Sequence, residues 1–294
     1  MGTLDGKVSV ITGATSGIGA RAAEVFAAEG ARVVIGGRRT DEGEALARAI
    51  GPAAVFHRTD VCVEGEVAAL VNRAVETFGR LDVMINNAGS PSHLTGIMDA
   101  DVSLFEATLS VHVSGTLLGI KHAARAMRDS GGGSIVTMAG IAGHAGGYAG
   151  LDYSVAKAAV VHLTRCAAVE LGEHGIRVNS VSPGFVLTGV FAEGRGTARG
   201  DARVAGLRHF MADMEHDQQP LPGIGAPDDP TAAMVFLASD AARMISGQDL
   251  AVDGGLLAGR PTAVMLAERA RIAGIVSGGG TVTGTGTGTG TADA

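Results

Sequence analysis

The sequence predicts an α/β fold: a single domain, doubly wound, with a parallel sheet of about seven strands and helices on both faces. Three observations predict it. Apolar runs of strand length alternate with longer helical patterns along the chain. Those runs are almost continuously apolar, as strands covered on both faces require. Aromatic residues make up only 3% of the 294 residues and Trp is absent, so Ala, Val and Gly must carry the packing. Small side chains suit helices lying closely on a sheet.

The elements follow in order. Val8 to Thr12 reads as a buried strand, then a Gly-rich turn opens a helix from about Ile18 to Ala28. Arg32 to Gly36 and Ala53 to His57 are the next strands, each followed by a helix, Asp41 to Ile50 and Glu64 to Phe78. Leu81 to Asn86 is the fourth strand, and one long helix is expected from about Asp101 to Arg128. Ser134 to Met138 is the fifth strand, followed by a helix from Tyr153 to Leu171. Arg177 to Val181 and Leu250 to Val252 complete the sheet. Right-handed crossovers between parallel strands make such a sheet doubly wound.

Two segments break the rhythm. Residues 187–224 are polar, mixed in charge and Gly-rich, a length of connection that is usually functional, often a lid, or disordered, and a substrate loop or lid is expected here. Its Phe191, Leu207, Phe210, Met211 and Met214 suggest an apolar wall, and its His209 and His216 read as part of a solvated amphipathic helix. Residues 277–294 form a Gly/Thr tail that has no apolar surface to bury, so a flexible appendage is expected. The domain therefore spans 1–260, with a short helix at 261–276 whose apolar residues suit a subunit neighbour.

Composition narrows the function. The net charge of −7 comes without a basic run, which argues against nucleic acid, because phosphate neutralisation needs clustered Lys and Arg. Cys62 and Cys166 make neither a disulfide framework nor a metal site, and both read as buried small side chains. No secretory core and no membrane-length apolar stretch occur, so a soluble cytoplasmic protein with no membrane partner is expected. No metal is expected.

The chemistry starts at Gly13-Ala14-Thr15-Ser16-Gly17-Ile18-Gly19. The glycines follow a strand and open a helix, so the backbone can approach a diphosphate while the helix N-terminus offers free N–H groups and the positive dipole end. This is the setting a Rossmann-type dinucleotide site requires. The second strand ends Gly37-Arg38-Arg39, with no Asp or Glu to hold a ribose 2′-hydroxyl. Guanidinium pairs well with phosphate, so the cofactor is expected to be NADP(H) rather than NAD(H).

Further motifs give the chain a family resemblance. Asp60-Val61, Asn86-Asn87-Ala88-Gly89, Tyr153-Ser154-Val155-Ala156-Lys157 and Arg177 to Gly184 with Thr188 beyond follow the glycine turn in order. Over about residues 3 to 258 the chain resembles the classical short-chain dehydrogenases/reductases. The resemblance implies that Gly13, Thr15, Ser16, Gly17, Ile18 and Gly19 line the diphosphate. It implies that Asp60 and Val61 meet the adenine, that Asn87, Ala88 and Gly89 touch the adenosine ribose, and that Pro183, Gly184, Val186 and Thr188 contact the nicotinamide. Tyr153 would be the general acid–base, and Lys157 would bind the nicotinamide ribose and lower the Tyr153 pKa. A homotetramer is implied too. The Tyr–Lys pair also makes physical sense alone, since i and i+4 share a helix face and an ammonium favours a phenolate.

The sequence departs from the family pattern twice. The family's catalytic serine falls thirteen residues before the tyrosine, where this chain has Gly140. The family's helix asparagine aligns with His112, which can keep a backbone role or relay protons itself. His144 is another candidate donor, and Asp152 reads as the N-cap of its helix. The expected activity is NADP(H)-dependent interconversion of a ketone and a secondary alcohol on a small, apolar or cyclic substrate. The alternatives are a non-redox dehydratase, isomerase or cyclase with Tyr153 as acid–base, or a catalytically silent nucleotide-binding subunit.

Overall fold

The computed structural model describes residues 2–188 and 219–277. Seven parallel strands form one sheet in the order β3-β2-β1-β4-β5-β6-β7. They are β1 Val8–Thr12, β2 Arg32–Gly37, β3 Ala54–Arg58, β4 Val83–Asn86, β5 Gly133–Met138, β6 Ile176–Pro183 and β7 Asp249–Val252. The helices are α1 Gly17–Ala28, α2 Thr40–Ile50, α3 Glu64–Phe78, α4 Val102–Leu109, α5 Gly115–Asp129, α6 Leu151–Leu171, α7 Asp228–Ala238 and α8 Thr262–Val276.

Side-chain alternation along the strands builds a core on each face. Val33 and Ile35 of β2 pack with Phe26 of α1 and Met234 and Leu237 of α7. Val34 between them points the other way, among Leu70 of α3, Ile120 and Met127 of α5 and Ala167 of α6. Small residues let the helices approach, as expected: a Cβ on Gly119 of α5 would lie 1.8 Å from Asn86 Oδ1.

Three expectations are corrected. The helix expected over 101–128 is interrupted by a π-turn at Ser110–Ser114, centred on His112, between α4 and α5. Such single-turn bulges insert a residue into the helical ladder and re-aim the side chains there. Cys62 and Cys166 are exposed rather than buried; Cys62 follows β3 in a turn and Cys166 lies on the outward side of α6. α7 is not marked in the sequence, because its apolar residues follow Asp228-Asp229-Pro230, which resembles a loop. The apolar wall residues and the histidines of the 187–224 loop fall at 189–218, outside the described residues, as does the tail from 278. Among the described residues, no helix is long and apolar enough to cross a membrane, and no cluster of three metal-ligating side chains occurs.

Strand order reverses at β1, which lies between β2 and β4. In doubly wound sheets the crevice beyond the carboxyl ends at such a point receives the ligand. The Gly turn after β1 and Asn87 to Gly89 after β4 both lie at that end.

Candidate functional site

Two glycines of the first turn adopt left-handed backbone, Gly13 with φ 64° and Gly17 with φ 57°. A Cβ on Gly13 would sit 2.6 Å from Ala88 Cα, so the turn presses against the end of β4. Asn87 fixes that contact: its Nδ2 donates to the carbonyls of Thr12 at 3.0 Å and Gly13 at 3.2 Å. Thr12 Oγ1 in turn accepts from the backbone N–H groups of Asn87 and Ala88. Helix α1 then starts with no side-chain cap and no acidic residue in its first turn. Its first N–H groups therefore keep their capacity for an anion, and a dinucleotide diphosphate fits this cradle.

The arginines at the end of β2 differ. Arg39 spans back to the turn, with Nη2 donating to Ser16 Oγ at 2.5 Å and to Thr15 Oγ1 at 3.1 Å. Arg38 is exposed and makes no hydrogen bond or ion pair among the described residues. Asp60 is held at the end of β3, its backbone N–H donating to Glu66 Oε2 at 2.7 Å while its Oδ1 accepts from Cys62 N. Val61 beside it is buried against Gly115. On the far side, Gly184 N–H donates to Val252 O, and Val186 bridges to Gly225. Thr188 is buried, 3.5 Å from where a Cβ on Gly17 would lie, so the 183–188 segment closes over the start of α1.

Tyr153 and Lys157 lie one turn apart in α6. Lys157 is buried and its Nζ donates to Met138 O at 2.7 Å, so it is fastened to the end of β5 and stands 5.2 Å from the Tyr153 ring centroid. Burial pushes the ammonium down to about 7 and the Tyr153 phenol up to about 12. The expected lowering of the phenol by Lys157 is thus not seen in the protein alone. Loss of water around the ring raises the phenol instead.

Gly140 is buried just beyond β5, with φ 163° and ψ 158°, extended backbone open to any residue. A Cβ there would have ordinary contacts, 3.9 Å to Pro183 O and 4.0 Å to Tyr153 Oη. The position where a serine was expected therefore faces the phenol and would take a Cβ without a clash.

His112 is buried in the π-turn, edge-on to Tyr153 with ring centroids 5.1 Å apart. The backbone N–H of Ser90 is aimed at its Nε2, at 3.0 Å. Ser90 O also lies 3.2 Å from Nε2, a contact that would suit the other tautomer; the N–H is the nearer group and can only donate, so Nε2 is assigned as the acceptor and the ring proton to Nδ1. Nδ1 is buried and has no partner among the described residues. Burial, and then the Lys157 charge, push the imidazolium down to about 3, so the ring is neutral near pH 7.

Two other expectations change here. His144 turns away, its Nε2 2.8 Å from Asp249 Oδ2. Asp152 is not a helix cap; Gly150 holds that position, and Asp152 sits buried in the first turn. Its Oδ2 accepts from Thr108 Oγ1 at 2.8 Å and from His93 Nδ1 at 2.6 Å. Neither Ser90 nor His93 was singled out in the sequence, because both lie in a segment without motif or periodicity.

Comparison with known proteins follows the same outline. A family model described as enoyl-(acyl carrier protein) reductase matches residues 13–257. Momilactone A synthase of Oryza sativa subsp. japonica is 43% identical over 86% of this chain and 90% of its own length. Cis-4-hydroxycyclohexanecarboxylate dehydrogenase of Sinomonas cyclohexanicum is 40% identical over 86% of this chain and 97% of its own. The crystal structure of a short-chain type dehydrogenase/reductase from Mycobacterium marinum superposes with a TM-score of 0.77 at 34% identity, covering 86% of this chain and 96% of that one.

Proposed function

The chain belongs to the short-chain dehydrogenase/reductase family of nicotinamide-dependent oxidoreductases, and we propose that it uses NADP(H) to interconvert a ketone and a secondary alcohol on a small, apolar, cyclic substrate. The observation that carries this reading is the Tyr153–Lys157 pair, with the phenol oxygen 4.0 Å from where a Cβ on Gly140 would lie. The name of the Sinomonas relative, cis-4-hydroxycyclohexanecarboxylate dehydrogenase, supports a cyclic substrate.

A bound nicotinamide supplies or accepts the hydride. The residues of the chain handle position and protons. The bare N-terminus of α1, with Gly13, Gly17 and Gly19, holds the diphosphate, and Lys157 holds the nicotinamide ribose. In reduction, Tyr153 Oη gives its proton to the carbonyl oxygen as that oxygen becomes an alkoxide. A phenol near 12 is fully protonated at neutral pH and suits this direction. In oxidation Tyr153 takes the alcohol proton, and a charged Lys157 favours the phenolate. His112 is the residue suited to supply the donor that the sequence at Gly140 lacks: its ring stands edge-on to Tyr153 at 5.1 Å, and its buried Nδ1 has no partner among the described residues.

Cofactor choice rests on Arg38, which follows β2 and makes no hydrogen bond or ion pair among the described residues. Arg38→Ala is expected to weaken NADPH by roughly 10- to 100-fold, the loss of one charge-assisted contact, and NADH by less than about twofold. Fluorescence titration with both nucleotides reads this, and equal losses overturn the 2′-phosphate assignment. The exposed Leu117 of α5 and Val155 and Val169 of α6 support a homotetramer built on these helices.

Gly140 favours a second reading, a non-redox isomerase or cyclase, because the missing hydroxyl weakens a ketone site and enlarges the pocket. Mixing the protein with NADPH and a panel of cyclic ketones and diketones separates the two. Consumption of NADPH absorbance in step with alcohol formation supports the redox reading, and substrate conversion at constant absorbance sinks it.

A further inference from the structure

The segment leaving β4 is bound to the start of α6 more tightly than a surface loop needs. Ser92 Oγ accepts from Gly150 N at 2.7 Å. The backbone N–H of His93 donates to Asp152 Oδ1 at 3.3 Å and its ring Nδ1 donates to Asp152 Oδ2 at 2.6 Å. A Cβ on Gly150 would lie 2.0 Å from His93 O, so the two stretches of backbone touch.

Asp152 is the centre of this clip. It is only 5% exposed and immediately precedes Tyr153. Burial pushes its carboxyl up, but hydrogen bonds from His93, Thr108 and the Tyr153 backbone outweigh burial and hold it below the usual range. A buried charge with one donor removed is costly, so the partners fix one another's places. Three residues before His93, Ser90 directs its N–H at His112.

We propose that His93 is a positioning residue. By gripping Asp152 it holds residues 90–93 on the first turn of α6. Through Ser90 it thereby keeps His112 in the Nδ1-protonated form beside Tyr153. Its effect on turnover rests on the donor role given to His112 above; its effect on the ring does not.

The test uses the full chain labelled with ¹⁵N-histidine, with His112 read by long-range imidazole NMR at neutral pH. The wild type is expected to show a neutral ring protonated at Nδ1. His93→Ala should mix the two tautomers and lower kcat by roughly tenfold, with dinucleotide affinity changed less than about twofold. His93→Asn places an amide donor where Nδ1–H was and should restore both readings. His93→Gln places its amide where Nε2 was and should not. These two variants keep most of the side-chain volume, so they decide the matter even if His93→Ala folds poorly. An unchanged His112 ring in His93→Ala and His93→Gln overturns the proposal. Rescue by Gln but not Asn also overturns it, moving the role to Nε2 and the cavity that His93 shares with Thr95, Leu104 and Phe105. A moved tautomer with full turnover upholds the clip and overturns instead the donor role of His112.

Discussion

Tyr153→Phe is expected to lower turnover by at least ~10³-fold while leaving dinucleotide affinity within about twofold, within the range typical of losing a general acid. The loss should be deep because the site offers no second hydroxyl. Gly140 stands where one was expected, and Lys157 is fastened to Met138 O rather than turned to the substrate oxygen. Phe keeps the edge contact with His112 and fills the same volume, so the fold and the cofactor cradle are preserved. Single-turnover absorbance of the nicotinamide and equilibrium fluorescence titration measure the two quantities. Retention of more than a tenth of the wild-type rate assigns proton transfer to another group.

The second large effect runs the other way. Gly140→Ser is expected to raise reduction of small monocyclic ketones by roughly 10²-fold, the scale on which one oxyanion donor contributes. The backbone at 140 accepts any residue, and a new Cβ meets nothing nearer than 3.9 Å. The added hydroxyl would lie beside Tyr153 Oη. A bulky substrate that already fills this space should instead lose affinity, raising KM. Steady-state kinetics with a graded series of ring sizes tests both. A fall in rate for the smallest ketones means that His112 already completes the donor set and that the serine competes with it.

The sheet and its cofactor end were legible in the sequence because each rests on local information. A buried strand is a short apolar run, and a diphosphate turn is a run of glycines between strand and helix. Tyr153 and Lys157 were legible for the same reason, being four apart on one helix. The missing parts depend on contacts between distant segments. Asp152 reads as a cap beside its helix start, and only the fold brings His93, fifty-nine residues away in sequence, onto its carboxylate. The π-turn at His112 adds one residue to a helical turn without changing composition, so no periodicity marks it. The Ser90 backbone groups that face His112 Nε2 carry no sequence signature at all.

The burial of Lys157 has a consequence for how the protein responds to alkali. In the unfolded chain the amine holds its proton up to about 10.5, whereas in the fold it releases it near 7. Below pH 7 both states are charged and folding bears the whole desolvation penalty. Between 7 and 10.5 the unfolded chain binds more protons, so stability rises with pH, at most by about 1.4 kcal/mol per unit for this one group. Tyr153 reverses the trend above pH 10, because its folded phenol stays protonated to about 12. Urea unfolding at pH 7 and pH 9 should therefore show the cofactor-free wild type gaining on Lys157→Met as the solution becomes basic. A parallel pair of curves would mean that the buried amine keeps its charge. The same residue that equips the site for proton transfer thus contributes stability to the cofactor-free fold as the solution goes from neutral to about pH 10.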